Sequence, residues 1–359
     1  MVKKYQSYIY TLFLKNFLFI TFIFFCLILI INFFEEIKFS EKNNIDIYYS
    51  LYLSLLNAPS LIFEIFPFIF LITVKAFYLN LNDRNEIDIL NSNGISNLKI
   101  VFLLMLLSAI IGLFLLLFYY SFSSSLKSKY LDLKNRFSDS NEYLAVVKED
   151  GLWVKEKIDD SVYFIHAEGF NKSGLKTITI SEIDKYYNNK NNITAEKANI
   201  VSKNWYLENV YLIDSSGKKN YYKSLVYNSS FNGEIISKLF SNLNSLNIYE
   251  LHALSNNYSK IGYSNTDIKI HLNRIYSMPI FYILMTLLGF IIINKLKIYK
   301  SRFFIITFGI FISVVVYYLN YFSGVLGNNG TLPIYLSVWT PLLILFLICN
   351  IGIIKINEN

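Results

Sequence analysis

Residues 100–122, from Ile100 to Phe122, read IVFLLMLLSAIIGLFLLLFYYSF. No charged side chain interrupts this run. As an α-helix it is long enough to cross the roughly 30 Å hydrocarbon core of a bilayer. Working outward, the same criterion picks out residues 16–34, 51–79, 279–293 with their flanks, 303–322 and 332–354. The second of these is long and carries Pro59 and Pro67, which predicts a tilt or a kink. Between residues 122 and 279 the chain turns polar for about 150 residues, enough for a domain of its own. The pattern predicts an α-helical membrane protein with six transmembrane helices, three plus three, and a domain inserted between the two sets.

Composition agrees. The 359 residues are 54% hydrophobic and only 16% charged, where a soluble domain has about a quarter charged. A net charge of +7 invites a nucleic-acid reading. The basic residues sit beside apolar runs, however, as membrane topology requires, so no nucleic-acid partner is expected. Cys26 and Cys349 both lie in apolar runs, and His166, His252 and His271 are scattered. Neither a disulfide framework nor a metal site is predicted. The apolar core of the first run is too long for a signal peptide, and Phe33-Phe34-Glu35-Glu36 offers no small-residue cleavage site. A retained helix is expected.

Lysine and arginine in the short segments set the orientation. With the N-terminus inside, the inner segments hold Lys3, Lys4, Lys15, Arg84, Lys99, Lys295, Lys297, Lys300, Arg302 and Lys355, and the outer loops hold only Lys38 and Lys42. Both termini are therefore expected in the cytoplasm and the inserted domain on the far side, the periplasm of a Gram-negative cell. That domain reads as short strands at residues 161–167, 176–180 and 204–213, with turns at 171–174, 214–217 and 228–233. An all-β sandwich or open barrel follows, with a helix at 245–256 leading back to the membrane.

The loop between the second and third spans reads LNLNDRNEIDILNSNGIS over residues 79–96. Asp83 and Glu86 are spaced as a capping box, Gly94 suits the position after a helix C-terminus, and Ser96 can cap the third span. A helix over residues 83–94 would present Ile87 and Leu90 beside Arg84, Glu86 and Asp88. It reads either as an ordinary capped turn or as a knob gripped by a cytoplasmic partner. No G-x-x-x-x-G-K-[S/T] segment occurs, so the chain is not expected to cradle ATP itself. No cofactor and no catalytic constellation is predicted. Glu64 and Lys75 fall inside the second span, where ionisable groups are costly. Lys75 is close enough to the inner end to snorkel, and Glu64 to face a cavity or pair with a basic group.

Residues 83–96 resemble the R-x-E-L-x-x-x-x-A-x-G-x-S segment of the LptF/LptG family of lipopolysaccharide export permeases. Arg84, Glu86, Gly94 and Ser96 match, and Ser92-Asn93 displace the usual alanine. Gly151-Leu152-Trp153, residues 164–167 and 193–198, Trp205-Tyr206-Leu207, Gly262-Tyr263-Ser264, His271, Pro279, Leu332-Pro333, Trp339 and Pro341 follow the family's order. The Gly-Leu-Trp and Ile-His-Ala segments are more like the LptG branch. The resemblance implies a periplasmic β-jellyroll-like domain. It also implies that Arg84, Glu86, Ile87, Leu90 and Gly94 couple to an LptB-like ATPase dimer, and that Lys38, with Lys42, holds the lipid head group. The implied partners are an LptF-like permease, LptC/LptA-like bridge proteins, lipopolysaccharide and the membrane. The apolar spans and the aromatic N-terminus give the layout: an interfacial segment over 1–15, spans one to three over 16–122, the β domain with flanks over 123–275 and spans four to six over 276–359. For Lys38, simple anchoring of a helix end is an equal reading. Three rivals stand beside the export reading: a sensor or scaffold without transport, a lipid or cell-wall enzyme, and a permease for another lipid or a lipoprotein.

Overall fold

The computed structural model describes residues 4–137, 152–158, 161–171, 173–184, 189–239, 242–260, 264–296 and 302–357. Lys3, Gly151, Gly262, Tyr263, Lys297 and Lys300, used above, lie outside them. The chain divides into two compact units, Met1–Lys127 with Thr266–Asn359, and Ser128–Asn265. The helices in chain order are α1 (Lys4–Lys42), α2 (Ile47–Asp83), α3 (Glu86–Ser92), α4 (Asn97–Phe114), α5 (Tyr120–Arg136), α6 (Gly233–Leu239), α7 (Ile248–Lys260), α8 (Thr266–Leu296), α9 (Arg302–Asn328) and α10 (Ile334–Asn357). A π-helical turn, Leu115–Tyr119, joins α4 to α5.

Among the described residues six helices are long and apolar enough to cross a membrane, and the third of them, Asn97–Arg136, runs well past residue 122. The N-terminal aromatic residues form no separate piece. Ile9, Phe13, Phe17 and Ile20 recur every three or four residues, so one stripe of a single unbroken helix is buried. Phe13 meets Phe77 edge-on at 6.2 Å, and Phe17 lies 5.0 Å from Phe70. α8 is the central helix, with 83% of its apolar window buried against 17% for α1 and for α9. The outer faces of α1 and α9 are thus left for lipid or another chain.

Without water, helices associate by close packing and hydrogen bonds. Both appear around α8. A side chain at Gly289 would strike the Leu71 carbonyl of α2 at 2.8 Å, and one at Gly112 of α4 would press on Tyr282 and Pro279. Ser108 and Thr286 share a 2.8 Å hydrogen bond between α4 and α8. Pro341 lacks the N–H that would meet the Ser337 carbonyl. The Ser323 hydroxyl of α9 donates there instead, at 2.8 Å.

The second unit holds one antiparallel sheet of six strands in sequential order: β1 (Leu152–Ile158), β2 (Ser161–Asn171), β3 (Gly174–Ile183), β4 (Asn189–Asn199), β5 (Asn204–Ile213) and β6 (Lys219–Asn228). The three strands and the 214–217 turn read from sequence are present. In that turn the Asp214 carboxylate accepts from the N–H groups of Ser216 and Lys218, and Gly217 takes φ +79°. The returning helix starts later than expected, at Ile248. There Asn247 and Glu250 cap each other's backbone N–H at 2.9 and 3.1 Å, a complete capping box.

A polar line crosses the sheet. Glu168, Thr177, Glu196, Asn209 and Lys223 stand opposite one another on β2 to β6, and register pairing skips each of them. Thr177 and Asn209 take positive φ. On β2 to β5 buried residues flank a two-residue step: Ala167 and Phe170, Leu175 and Ile178, Ala195 and Ala198, Leu207 and Val210. Strict alternation would send one member of each pair to solvent. All four strands change face together, so register is kept across the step, and the shift between β3 and β4 falls further on, at Glu182 and Ile183.

Near the end of β6 the two edge strands are joined. Glu156 of β1, 1% exposed, accepts from the Ser229 hydroxyl at 3.0 Å, the Tyr227 hydroxyl at 3.3 Å and the Ser230 N–H. Burial raises the Tyr227 pKa far above its ordinary value, and the Glu156 carboxylate raises it further. Tyr227 therefore remains a donor across ordinary pH. Trp205, fully buried, donates to the Phe231 carbonyl at 2.8 Å and secures the same exit.

Candidate functional site

α3 follows α2 after a two-residue turn. The expected capping box does not form. α2 runs on through Asp83, the turn is made by Arg84 and by Asn85 in the left-handed region (φ 55°), and the Asn85 side chain makes no capping bond to α3. Asparagine enters that region at low cost, which starts the helix at Glu86. The C-terminal reading holds. Gly94, at φ +77°, donates to Asn91 at 2.9 Å and Ile95 donates to Leu90 at 3.0 Å, the paired bonds of a Schellman ending. The Ser96 hydroxyl accepts from the Lys99 N–H at 3.3 Å.

The side chains sort differently from expectation. Ile87 is 6% exposed and lines a small cleft with Tyr78, Asn82 and Ile293, so it anchors α3 to its own chain. Leu90 is half-buried. The outward apolar residue is Ile89, at 58% exposure, which sequence reasoning missed because a seven-residue helix shows too little of its period. Arg84 lies 3.9 Å from Glu86 Oε1, and the Tyr8 hydroxyl donates to Glu86 Oε2 at 2.5 Å.

The other end of α2, 37 residues or about 55 Å away along the helix, carries the second candidate site. Lys38 and Lys42 occupy the last turns of α1, four residues apart and exposed, so they share a face. Behind them lies a buried polar chain. Lys127 Nζ donates to Asn57 Oδ1 at 2.5 Å, Asn57 donates to Asn32 at 3.1 Å, and Asn32 reaches the Ser54 carbonyl at 3.4 Å. The Ser50 hydroxyl meets the Ser40 hydroxyl at 2.7 Å.

Lys75 does not snorkel. It is fully buried, and its ammonium donates to the Ile305 carbonyl of α9 at 2.7 Å. A Cβ at Gly309 would fall 1.8 Å from Nζ, so the missing side chain of α9 opens the slot the lysine fills. Glu64 is half-buried, and it and Arg274 both act electrostatically on Tyr317. Among the described residues no group of three His, Cys, Asp or Glu could hold a metal. α8, α9 and α10 also line an open apolar pocket of about 240 Å³ beside Leu319, Asn320 and Pro341.

Among the described residues, six apolar helices with an antiparallel β unit inserted in sequence after the third define the class, a multi-pass membrane protein. The sequence model described as lipopolysaccharide export system permease LptF/LptG matches residues 7–355, nearly the whole chain, and the chain belongs to that family. Its general role is that of a lipopolysaccharide export permease, an inner-membrane component of the lipopolysaccharide transport complex rather than an enzyme. The match embraces LptF and LptG alike. A comparison with individual curated proteins gives no match.

Proposed function

We propose that this chain moves lipopolysaccharide out of the outer leaflet of the inner membrane using ATP hydrolysed by a separate LptB-like dimer, which docks on α3. Family membership over residues 7–355 carries the reading. The geometry of α3 supports it, because a short helix fastened to its own chain by Ile87 leaves Ile89, Asp88 and Arg84 outward. Both termini and α3 are cytoplasmic in this reading, and the β unit is periplasmic. The unburied faces of α1 and α9 meet an LptF-like second permease and the acyl chains of the cargo. Lys38 and Lys42 act as point charges toward lipid phosphate. The β unit passes the lipid to an LptC/LptA-like bridge by strand addition at a sheet edge. Closure of the ATPase expels cargo only where the closed state binds it less well than the open one.

Glu86→Lys reverses the charge at the start of α3. Affinity of the purified full-length permease for an LptB-like ATPase is expected to fall more than about tenfold, with membrane insertion unchanged. An unaltered complex would return α3 to an ordinary capped turn. Lys38→Glu is expected to lower the lipopolysaccharide that co-purifies, measured by mass spectrometry. Unchanged occupancy would leave Lys38 as a helix-end anchor, and a different dominant lipid would favour a permease for other cargo.

A further inference from the structure

Among the seven residues of α3 only Ile87 is buried. The C-terminus is held by backbone bonds through Gly94 and Ile95, and at the N-terminus the Asn85 side chain makes no capping bond. A long-range side-chain fastening at the start of α3 comes from α1, where Tyr8, 78 positions away, donates to Glu86 Oε2. Tyr8 is 40% exposed, on a stretch of α1 whose Ile9 and Phe13 are fully buried and hold the helix in place. One turn back, the Tyr5 ring lies 5.8 Å from Lys99 Nζ at the start of α4. The first turns of α1 therefore bracket α3 on both of its chain flanks.

Three side chains form one cluster, since Arg84 also acts on the Tyr8 hydroxyl, by charge and by a side-chain hydrogen bond. Tyr8 holds Oε2 at hydrogen-bond distance, while Arg84 stands 3.9 Å from Oε1 with a side chain 63% exposed. A solvated ion pair of that length is weak, and a hydroxyl-to-carboxylate hydrogen bond is charge-assisted and directional. We propose that Tyr8 is a positioning residue for Glu86. It ties the Glu86 carboxylate, already paired with Arg84, to α1, and so fixes where the pair is presented to the docking ATPase. This inference rests on the docking role of α3 proposed above. It adds that the N-terminal turns of α1 set the state of the contact.

Tyr8→Phe keeps the ring and removes only the hydroxyl. Full-length permease in detergent, as wild type, Tyr8→Phe, Glu86→Gln and the double variant, is titrated with a purified LptB-like ATPase. The melting temperature of each is recorded alongside. Tyr8→Phe is expected to weaken binding about three- to tenfold with the melting temperature unchanged. In the Glu86→Gln background the same substitution is expected to weaken binding much less, because the carboxylate is the main partner of Tyr8 and Arg84 a lesser one. The proposal is overturned if Tyr8→Phe binds like wild type while Glu86→Gln does not. Equal weakening in both backgrounds overturns it too, since Tyr8 would then act by another route. If neither Glu86→Gln nor Glu86→Lys alters affinity, the docking role of α3 itself falls.

Discussion

Glu156→Ala is expected to destabilise the β unit by about 3–5 kcal/mol, since several buried donors lose their acceptor at once. The Tyr227 hydroxyl, the Ser229 hydroxyl and the Ser230 N–H all point at this carboxylate. Ser229 keeps a bond, accepting from the Phe231 N–H at 3.1 Å, but its own proton is left without a partner. The loss falls where β1 and β6 meet, so the exit from β6 loosens first. Trp205 lies beside that exit, 5.8 Å from the Tyr227 ring, and its fluorescence reports the event. Glu156→Gln is the informative control. Its amide oxygen can still accept from the Ser230 N–H, and both hydroxyls can rotate to accept from its NH₂. It should cost about 1–2 kcal/mol. Chemical unfolding of the full-length protein followed by tryptophan emission measures both. A loss below about 1 kcal/mol for the alanine variant would mean that water replaces the carboxylate and that the edge strands are not joined there.

Gly289→Leu is expected to cost about 3 kcal/mol or more, at the upper end of overpacking penalties. The obstacle is backbone: the Leu71 carbonyl stands 2.8 Å from where the new Cβ must go, and no rotamer change moves it. α2 and α8 must separate, and α8 is the helix on which α2, α4 and α10 all pack. Gly352→Leu on α10 provides the contrast. There the obstructing atoms are side-chain carbons of Ile291, which can turn aside, so a smaller loss is expected. Thermal denaturation in detergent ranks the two. Equal melting temperatures would show that the bundle gives way around α8 more freely than its packing implies.

The membrane architecture was legible because its signal is coarse. Runs such as residues 100–122 carry no charge, and a bilayer tolerates few other readings. The end of α3 was legible because a left-handed position after a helix favours glycine, and Gly94 supplies it. Its beginning was not. Asp83 and Glu86 have the spacing of a capping box, yet α2 extended through Asp83 and left Asn85 to make the turn. The same motif was overlooked at Asn247 and Glu250, where it forms. Lys75 was misread because its acceptor lies at Ile305 and its space at Gly309, more than 200 residues along the chain. Tyr8 was lost for the same reason, since the side chain it holds belongs to a different helix. A one-dimensional pattern carries periodicity and punctuation, but not which distant residue leaves room for which side chain.

The polar line across the β sheet bears on how such a chain can change in length. Thr177 is aligned with Glu168 on one side and Glu196 on the other, and Asn209 continues the row. Deleting one residue from the interior of β3 would pull its step out of line with both neighbours and turn half of its apolar side chains to solvent. Insertions and deletions are therefore confined to the hairpin tips, where strands can lengthen without disturbing the row. A library of single-codon deletions scored for surviving protein should leave gaps through the strand interiors and open windows at the turns.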